Sequence, residues 1–444
     1  MSWDLLYALD LIALISFVLS YYFNCYRRGY RIDIWHVQLF LMCVFPNMLM
    51  LPFSKGELNY PVLGSDFPAV VASLPTIFLI TLLGYFSLLA GGFFWHIRTG
   101  LGIRKLAVRL LDLVPECSMM VMSSPTTLVF QTGICLLLQA MILGYYFSKS
   151  GFGFDLRQFT FTNPALRPVA LLISTYSGFI GSHCFARYVE KKERKLLICT
   201  LLLSLGLMFF GSRGAVIGVY LGVLVCYLIQ LRNRISLFRI FSIVLLLLSI
   251  ALYLGSVRSG EYSLTDFLQI FVMLLFYGNN FSDLRDFAWV YAHWDHHFWL
   301  GKTYLAAVTS FVPRFASEFR DHWGLGAATA LTVGFDPHVH PGLRPGAFGE
   351  GYLNFGVVGV VAVGLFVGMV MYRVDMGVKQ AVTSRHPSMM KAFAMSSLLI
   401  ISSTVTLSAG FSGLFVLAGI YFFNWCCIRL LHMLQHRPSS IAAV

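Results

Sequence analysis

Residues Leu196–Leu231 read LLICTLLLSLGLMFFGSRGAVIGVYLGVLVCYLIQL. Two apolar runs flank the four residues GSRG, and Arg213 is the only charge in the stretch. Each run approaches the ~20 apolar residues that cross a hydrocarbon core. The stretch therefore reads as two membrane helices joined by a tight turn. The rest of the chain is built in the same way. Of 444 residues, 58% are hydrophobic and only 12% charged, with a mean hydropathy of +0.75. Soluble domains carry about 25% charged residues. The chain is expected to be an all-α polytopic membrane protein.

About eleven spans are expected. They fall near Leu5–Phe23, Ile34–Leu51, Ala69–Ala90, Thr126–Phe147, Val169–Phe185, Leu196–Phe210, Ala215–Leu231, Ile240–Leu254, Leu353–Tyr372, Ala392–Leu407 and Leu414–Ile428. The first run follows MSWD with no basic segment before it, and reads as a retained span. Ile103–Leu113 has apolar residues at helical spacing, as for a helix lying on the membrane surface. Asp266–Tyr277 and Thr303–Phe315 are too short to cross and read as re-entrant or interfacial helices. The expected organisation is N-terminal membrane helices over 1–254, a large loop with short helices over 255–349, and C-terminal membrane helices over 350–444.

The formal charge of +12 is not the footprint of a nucleic-acid-binding surface. Lys and Arg cluster between alternate apolar runs, as at Arg27, Arg28 and Arg31, at Arg187, Lys191, Lys192, Arg194 and Lys195, and at Arg232, Arg234 and Arg239. The short loops on the other side hold only Lys55, Lys149, Arg157, Arg167 and Arg213. Positive loops stay cytoplasmic, so the N-terminus and the 255–349 region are expected outside and the C-terminus inside. The nine cysteines fall in or beside apolar runs and form neither a disulfide framework nor a zinc spacing.

Gly301–Gly356 is the longest stretch that apolar runs do not explain. It opens GKTYLAAVTSFVPRF, closes GEGYLNFG, and holds Asp321, His322, Asp336, His338, His340 and Arg344 among many glycines and prolines. Arg213 lies between two spans with no acid nearby in sequence, where a charge is costly unless it meets water or an anion. Arg258, Arg314, Arg320 and Arg344 join it on the outer side. Guanidinium forks hold phosphate by paired hydrogen bonds, so a converging set suits a diphosphate. The acid–base candidates are Glu350, His338 and His340, then Asp336, Asp321, His322 and the group His293, Asp295, His296 and His297. The histidine spacing also permits a metal, although ligation needs three or four groups meeting in space. Trp289, Tyr291, Trp294, Trp299, Tyr304 and Trp323 suit either sugar stacking or an interfacial aromatic belt.

GSRG between two spans, GKTYLAAVTSFVPR in a later loop, and GEGYLNFG running into a span together resemble the Wzy-type oligosaccharide repeat-unit polymerases, or O-antigen polymerases. The likeness covers about Gly211–Gly356 in motifs and the remainder only in hydropathy. Where that family carries a Trp or Lys-Pro element after Pro-Arg, this chain has FASEFRDHWG. The resemblance implies a multi-span glycosyltransferase of the bacterial inner membrane, working at its periplasmic face without metal or nucleotide. Its substrates would be undecaprenyl-diphosphate-linked oligosaccharides, and its expected partners are membrane lipid and a polysaccharide chain-length regulator. Arg213, Arg258, Arg314 and Arg344 would hold the donor, with Tyr352 and Asn354 of GEGYLNFG also on substrate. Glu350, or else His338 or His340, would act as base.

Three other readings use the same features. An O-antigen ligase takes the same donor but delivers the glycan to lipid A core. A lipid-linked oligosaccharide flippase would favour an internal repeat, and none is legible. An acyltransferase would turn its basic and histidine residues toward the cytosol, against the expected orientation.

Overall fold

The computed structural model describes residues 3–54, 61–93, 124–151, 166–210, 213–246, 282–310, 316–337, 342–396 and 411–435, with 156, 159, 249, 276, 277, 312, 339 and 340 besides. The described residues form helices and no strand. In chain order the helices are α1 (Trp3–Tyr21), α2 (Ile34–Leu39), α3 (Phe45–Ser54), α4 (Phe67–Phe93), α5 (Pro125–Ser150), α6 (Arg167–Lys191), α7 (Arg194–Phe209) and α8 (Arg213–Leu231). Then come α9 (Asp283–His293), α10 (Lys302–Val308), α11 (Glu318–Trp323), α12 (Leu325–Val333), α13 (Gly346–Thr383), α14 (Met389–Ser396) and α15 (Phe411–Gln435).

Among the described residues, seven helices are long and apolar enough to cross a membrane. Their polarity is that of a protein in lipid. Leu11, Ile12, Val18 and Leu19 of α1 are exposed, whereas Gln131, Thr200 and Asn424 are buried. The expected sixth span is α7, whose 16 residues reach about 24 Å at 1.5 Å per residue, short of a ~30 Å core. Ile103–Leu113, most of Asp266–Tyr277, the later part of the span expected at Ile240–Leu254 and most of that expected at Ala392–Leu407 lie outside the described residues. Thr303–Phe315 yields only the seven-residue α10, with the part after Val312 also outside them. Helices α9, α10, α11 and α12 hold 11, 7, 6 and 9 residues, and each is too short to span.

The chain divides into two compact units. The first comprises Met1–Leu101, Tyr262–Met376 and Leu399–Leu414. Its core gathers Phe78, Tyr85, Leu284, Phe287, Phe348 and Val360. Helices α4 and α13 approach closely through glycine. A Cβ at Gly364 would stand 2.6 Å from the Cβ of Ser87, and one at Gly91 or Gly368 would strike the carbonyl of Leu365 or Leu88. Small residues that admit backbone-to-backbone packing are the main adhesive between helices in lipid, where apolar burial gives little. Ser73 ties α4 to α9 by donating to the Ala288 carbonyl at 3.0 Å. At the start of α2, Asp33 accepts from the His36 N–H at 2.8 Å and contacts its Nδ1 at 2.8 Å, while His36 Nε2 meets Ser20 Oγ at 3.0 Å. This is a side-chain N-cap extended to α1.

The second unit comprises Gly102–Glu261, Gly377–Leu398 and Phe415–Val444. It packs α5, α6, α7 and α8 together, with α14 against α6 and α8. Its interior carries amides and hydroxyls. Gln131 donates to Asn424, Tyr176 reaches the same Asn424 Oδ1 at 3.3 Å, and the Ser204 and Tyr220 hydroxyls meet at 2.8 Å. Glu190 caps α14 by accepting from the Met390 N–H at 3.1 Å and the Ser388 hydroxyl at 3.2 Å.

Gly368→Leu is expected to abolish a monodisperse size-exclusion peak in detergent. Gly133→Leu, placed where a Cβ meets nothing within 4 Å, should preserve it.

Candidate functional site

The GEGYLNFG motif does not simply enter a span. It forms the first turns of α13, and the helix breaks at Gly356, whose φ of 62° and ψ of −146° are non-helical. Glycine adopts that conformation without the Cβ penalty other residues incur. A break strands backbone carbonyls that need donors. Here the Trp299 N–H donates to the Leu353 carbonyl at 2.9 Å and the Leu300 N–H to the Asn354 carbonyl at 3.1 Å. The loop before α10 thus completes the broken helix.

Side chains reinforce the junction. Asn354 Oδ1 accepts from the Gly301 N–H at 3.0 Å. Asn354 Nδ2 donates to Thr303 Oγ1 at 2.8 Å and to the Glu350 carbonyl at 2.9 Å. Thr303 in turn donates to Glu350 Oε1 at 2.7 Å. Glu350, Asn354 and Thr303 are each fully buried. Sequence reasoning had GKTYLAA and GEGYLNFG as one region, and the two are hydrogen-bonded to each other. It did not single out Thr303. The hydroxyl of Tyr304 is pushed well above its usual range by burial, with the Glu350 charge adding to it. Tyr304 stacks on Phe355 at 6.2 Å between centroids.

A second cluster stands on α9, whose start reads Ser282-Asp283-Leu284-Arg285-Asp286. Asp286 is buried and saturated with donors. Arg285 Nε and Nη2 reach its Oδ1 at 3.1 and 2.8 Å. The Ser282 hydroxyl and the Arg344 N–H reach its Oδ2 at 3.0 and 3.2 Å. Arg344 also donates from Nη2 to Ser282 Oγ at 3.2 Å. A buried ion pair persists only when such bonds offset its desolvation, and removing one partner costs about 3–5 kcal/mol. None of these bonds uses Asp283, which is exposed. The protein crowding around it pushes its carboxyl up to about 6; Arg344 opposes the rise and Asp286 adds to it. The signal for this cluster was in the sequence: two aspartates and an arginine within five residues of an oily chain, too dense for a helix facing lipid.

The remaining candidates are dispersed. Arg344 is exposed, and Tyr352 is half-buried against Phe287 and Trp294, at 6.2 and 6.0 Å between centroids. His340 is held in its own turn: its Nδ1 receives the Gly342 N–H at 3.1 Å and its ring lies 4.6 Å from that of Phe335. Arg213 opens α8, but its side chain lies outside the described residues, as do Arg258, Arg314 and His338 entirely. His293 bonds the Trp289 carbonyl at 3.1 Å, whereas Asp295 and His297 pair at the surface. Trp289, Trp294 and Trp299 are buried, so their faces serve packing. Lys302 lies over the Trp323 ring at 4.3 Å. Among the described residues, metal-type ligands converge at Cys25, Asp33 and His36, away from the expected loop and within the α2 cap.

The chain was compared with protein-family models, curated proteins and solved structures, and nothing matched.

Thr303→Val should lower stability by about 1–3 kcal/mol, because Glu350 and Asn354 would each lose a buried partner; thermal unfolding in detergent measures it. Asp283→Asn should act oppositely. A carboxyl raised from its ordinary 3.8 to about 6 destabilises the fold increasingly as pH rises between those values, and fully above 6. The Asn variant should therefore melt higher than the parent at pH 7.5, with a smaller gain at pH 5.

Proposed function

We propose that this chain is a membrane glycosyltransferase that polymerises undecaprenyl-diphosphate-linked oligosaccharide repeat units, releasing undecaprenyl diphosphate. The observation that carries the proposal is the junction of GKTYLAA with GEGYLNFG through Thr303, Glu350 and Asn354. Two motifs of the resemblance, about 50 residues apart in sequence, act as one structural element. Before that element's helix, Arg344 donates to Ser282 and Asp286, and its charge acts on the exposed carboxylate of Asp283. Such a pair suits a reaction that takes a proton from one substrate and leaves negative charge on the other.

In this reading the chain has eleven spans, lies in the bacterial inner membrane, and carries its 255–349 region on the periplasmic side, as the distribution of Lys and Arg favours. No nucleotide is supplied there, so the donor brings its own leaving group. Arg344 binds the donor diphosphate. Arg213, Arg258 and Arg314 have the same role on the strength of the resemblance. Tyr352 offers an aromatic face and a hydroxyl to a sugar. Glu350 and Asn354, fully enclosed, position the loop and do not themselves meet substrate.

Purified protein incubated with defined lipid-diphosphate repeat units, without metal or nucleotide, should produce a ladder of longer glycans on a gel. Arg344→Ala and Arg213→Ala should each abolish the ladder while the protein remains in the membrane fraction. No ladder from folded parent protein with the correct repeat unit would sink the polymerase reading. Transfer only when lipid A core is added would identify a ligase.

A further inference from the structure

We infer that the Asp283 carboxylate is the base that takes the proton from the acceptor hydroxyl, with the Arg344 guanidinium beside it stabilising the departing diphosphate. The inference rests on the glycosyltransferase reading above and names the residue that the sequence left open among Glu350, His338 and His340.

Geometry separates Asp283 from its competitors. A base must reach the proton it removes. Glu350 has no exposed surface and its Oε1 holds the Thr303 hydroxyl at 2.7 Å. Asp286 is buried and receives Arg285, Ser282 and the Arg344 N–H. His340 accepts the Gly342 N–H through Nδ1. Asp283 lies one helical turn before Asp286, is exposed, and takes part in none of those bonds.

Its surroundings are shaped to keep it so. Gly346, at the start of α13, lies directly against it: a Cβ there would stand 3.3 Å from the Asp283 Cβ and 3.5 Å from Oδ2. At Gly346 the facing helix therefore brings backbone and no side chain. Among the described residues, the charged groups acting on Asp283 are Arg344, from the segment before α13, and Asp286, on its own helix. Arg285 neutralises Asp286 from the far side, and the Ser282 hydroxyl bridges Asp286 and Arg344. Arg344 is thereby held by its backbone N–H on Asp286 and by Nη2 on Ser282, the residue before Asp283. The crowding that raises the Asp283 carboxyl to about 6 makes it a stronger base than an ordinary carboxylate, yet leaves it ionised at neutral pH. That is the range in which general bases are most effective.

The step balances without a co-reactant. The acceptor oxygen forms a bond to the anomeric carbon of the donor's reducing-end sugar. The bond from that carbon to the diphosphate oxygen breaks, and the electron pair leaves with undecaprenyl diphosphate. The acceptor proton passes to Asp283, which returns it to water. Arg344 meets the charge on the leaving group as it develops.

The test compares parent, Asp283→Asn, Asp283→Glu and Glu350→Gln proteins on the defined lipid-diphosphate repeat units, with kcat/KM followed from pH 5 to 8. Parent activity should rise about tenfold per pH unit below 6 and level off above it. Asp283→Asn should lose about 100-fold or more, bind undecaprenyl diphosphate within threefold of the parent, and show no acidic limb in its residual rate. That last readout separates the enzyme's group from ionisation of the substrate. Asp283→Glu should recover part of the rate with a displaced limb, which a merely structural aspartate would not give. Asp283→Asn turning over at more than a tenth of the parent rate would overturn the assignment while leaving the polymerase reading in place. So would a loss confined to binding, or an acidic limb that vanishes in Glu350→Gln and persists in Asp283→Asn. A parent protein that is folded but inactive on every repeat unit overturns the function and this inference together.

Discussion

The break in α13 at Gly356 is the constraint on which the site depends. A helix interrupted within a candidate span leaves carbonyls without intrahelical donors, and lipid supplies none. The Trp299 and Leu300 N–H groups supply them at 2.9 and 3.1 Å. Once the backbone of 299–301 is committed to that duty, α10 must begin immediately after it. Thr303 then falls within reach of Glu350, and Gly301 within reach of Asn354. The burial of Glu350 follows from the same arrangement: the Thr303 hydroxyl takes the place of water at its Oε1.

Polarity in the two units is distributed by the same rule and to different ends. In the first, polar groups gather where helices start or break, at Asp33, Ser282–Asp286 and Glu350. Asp33 is tied to the backbone and ring of His36, Asp286 to Arg285, and Glu350 to the Thr303 hydroxyl. In the second, neutral amides and hydroxyls lie along the interior faces of spans, as at Gln131, Tyr176 and Asn424. In an apolar solvent such contacts add specificity to helix packing but modest energy. The close glycine contacts of α4 with α13 supply what hydrophobic burial cannot.

Two acidic neighbours on α9 show how environment divides labour between like residues. Asp286 is enclosed by an arginine, a serine and a backbone N–H, which fix its two oxygens in place. Asp283, three residues earlier, receives none of these and is instead crowded by protein. One carboxylate is tied into the hydrogen-bonded cluster, and the other stays exposed beside it. Neither role can be assigned from the residue type.

Much of this was legible in the chain. Apolar runs with basic intervals dictate a helical membrane protein, because only helices satisfy every backbone group within one span. The density of Gly, Pro, His and Arg over Gly301–Gly356 marked a region whose described part before Gly346 holds only helices too short to span. The short α7, the break at Gly356 and the partners of Glu350 could not be read there. A run of apolar residues states hydrophobicity, whereas a helix end is decided by which donors and acceptors another segment brings. The SDLRD segment of α9 shows the same limit. Its groups become one hydrogen-bonded cluster only when Arg344, some sixty residues on, folds back against Ser282 and Asp286. Hydropathy is additive along the sequence and so was determined by it alone. The placing of protons and charges depends on distances between remote segments, and only the tertiary structure decided it.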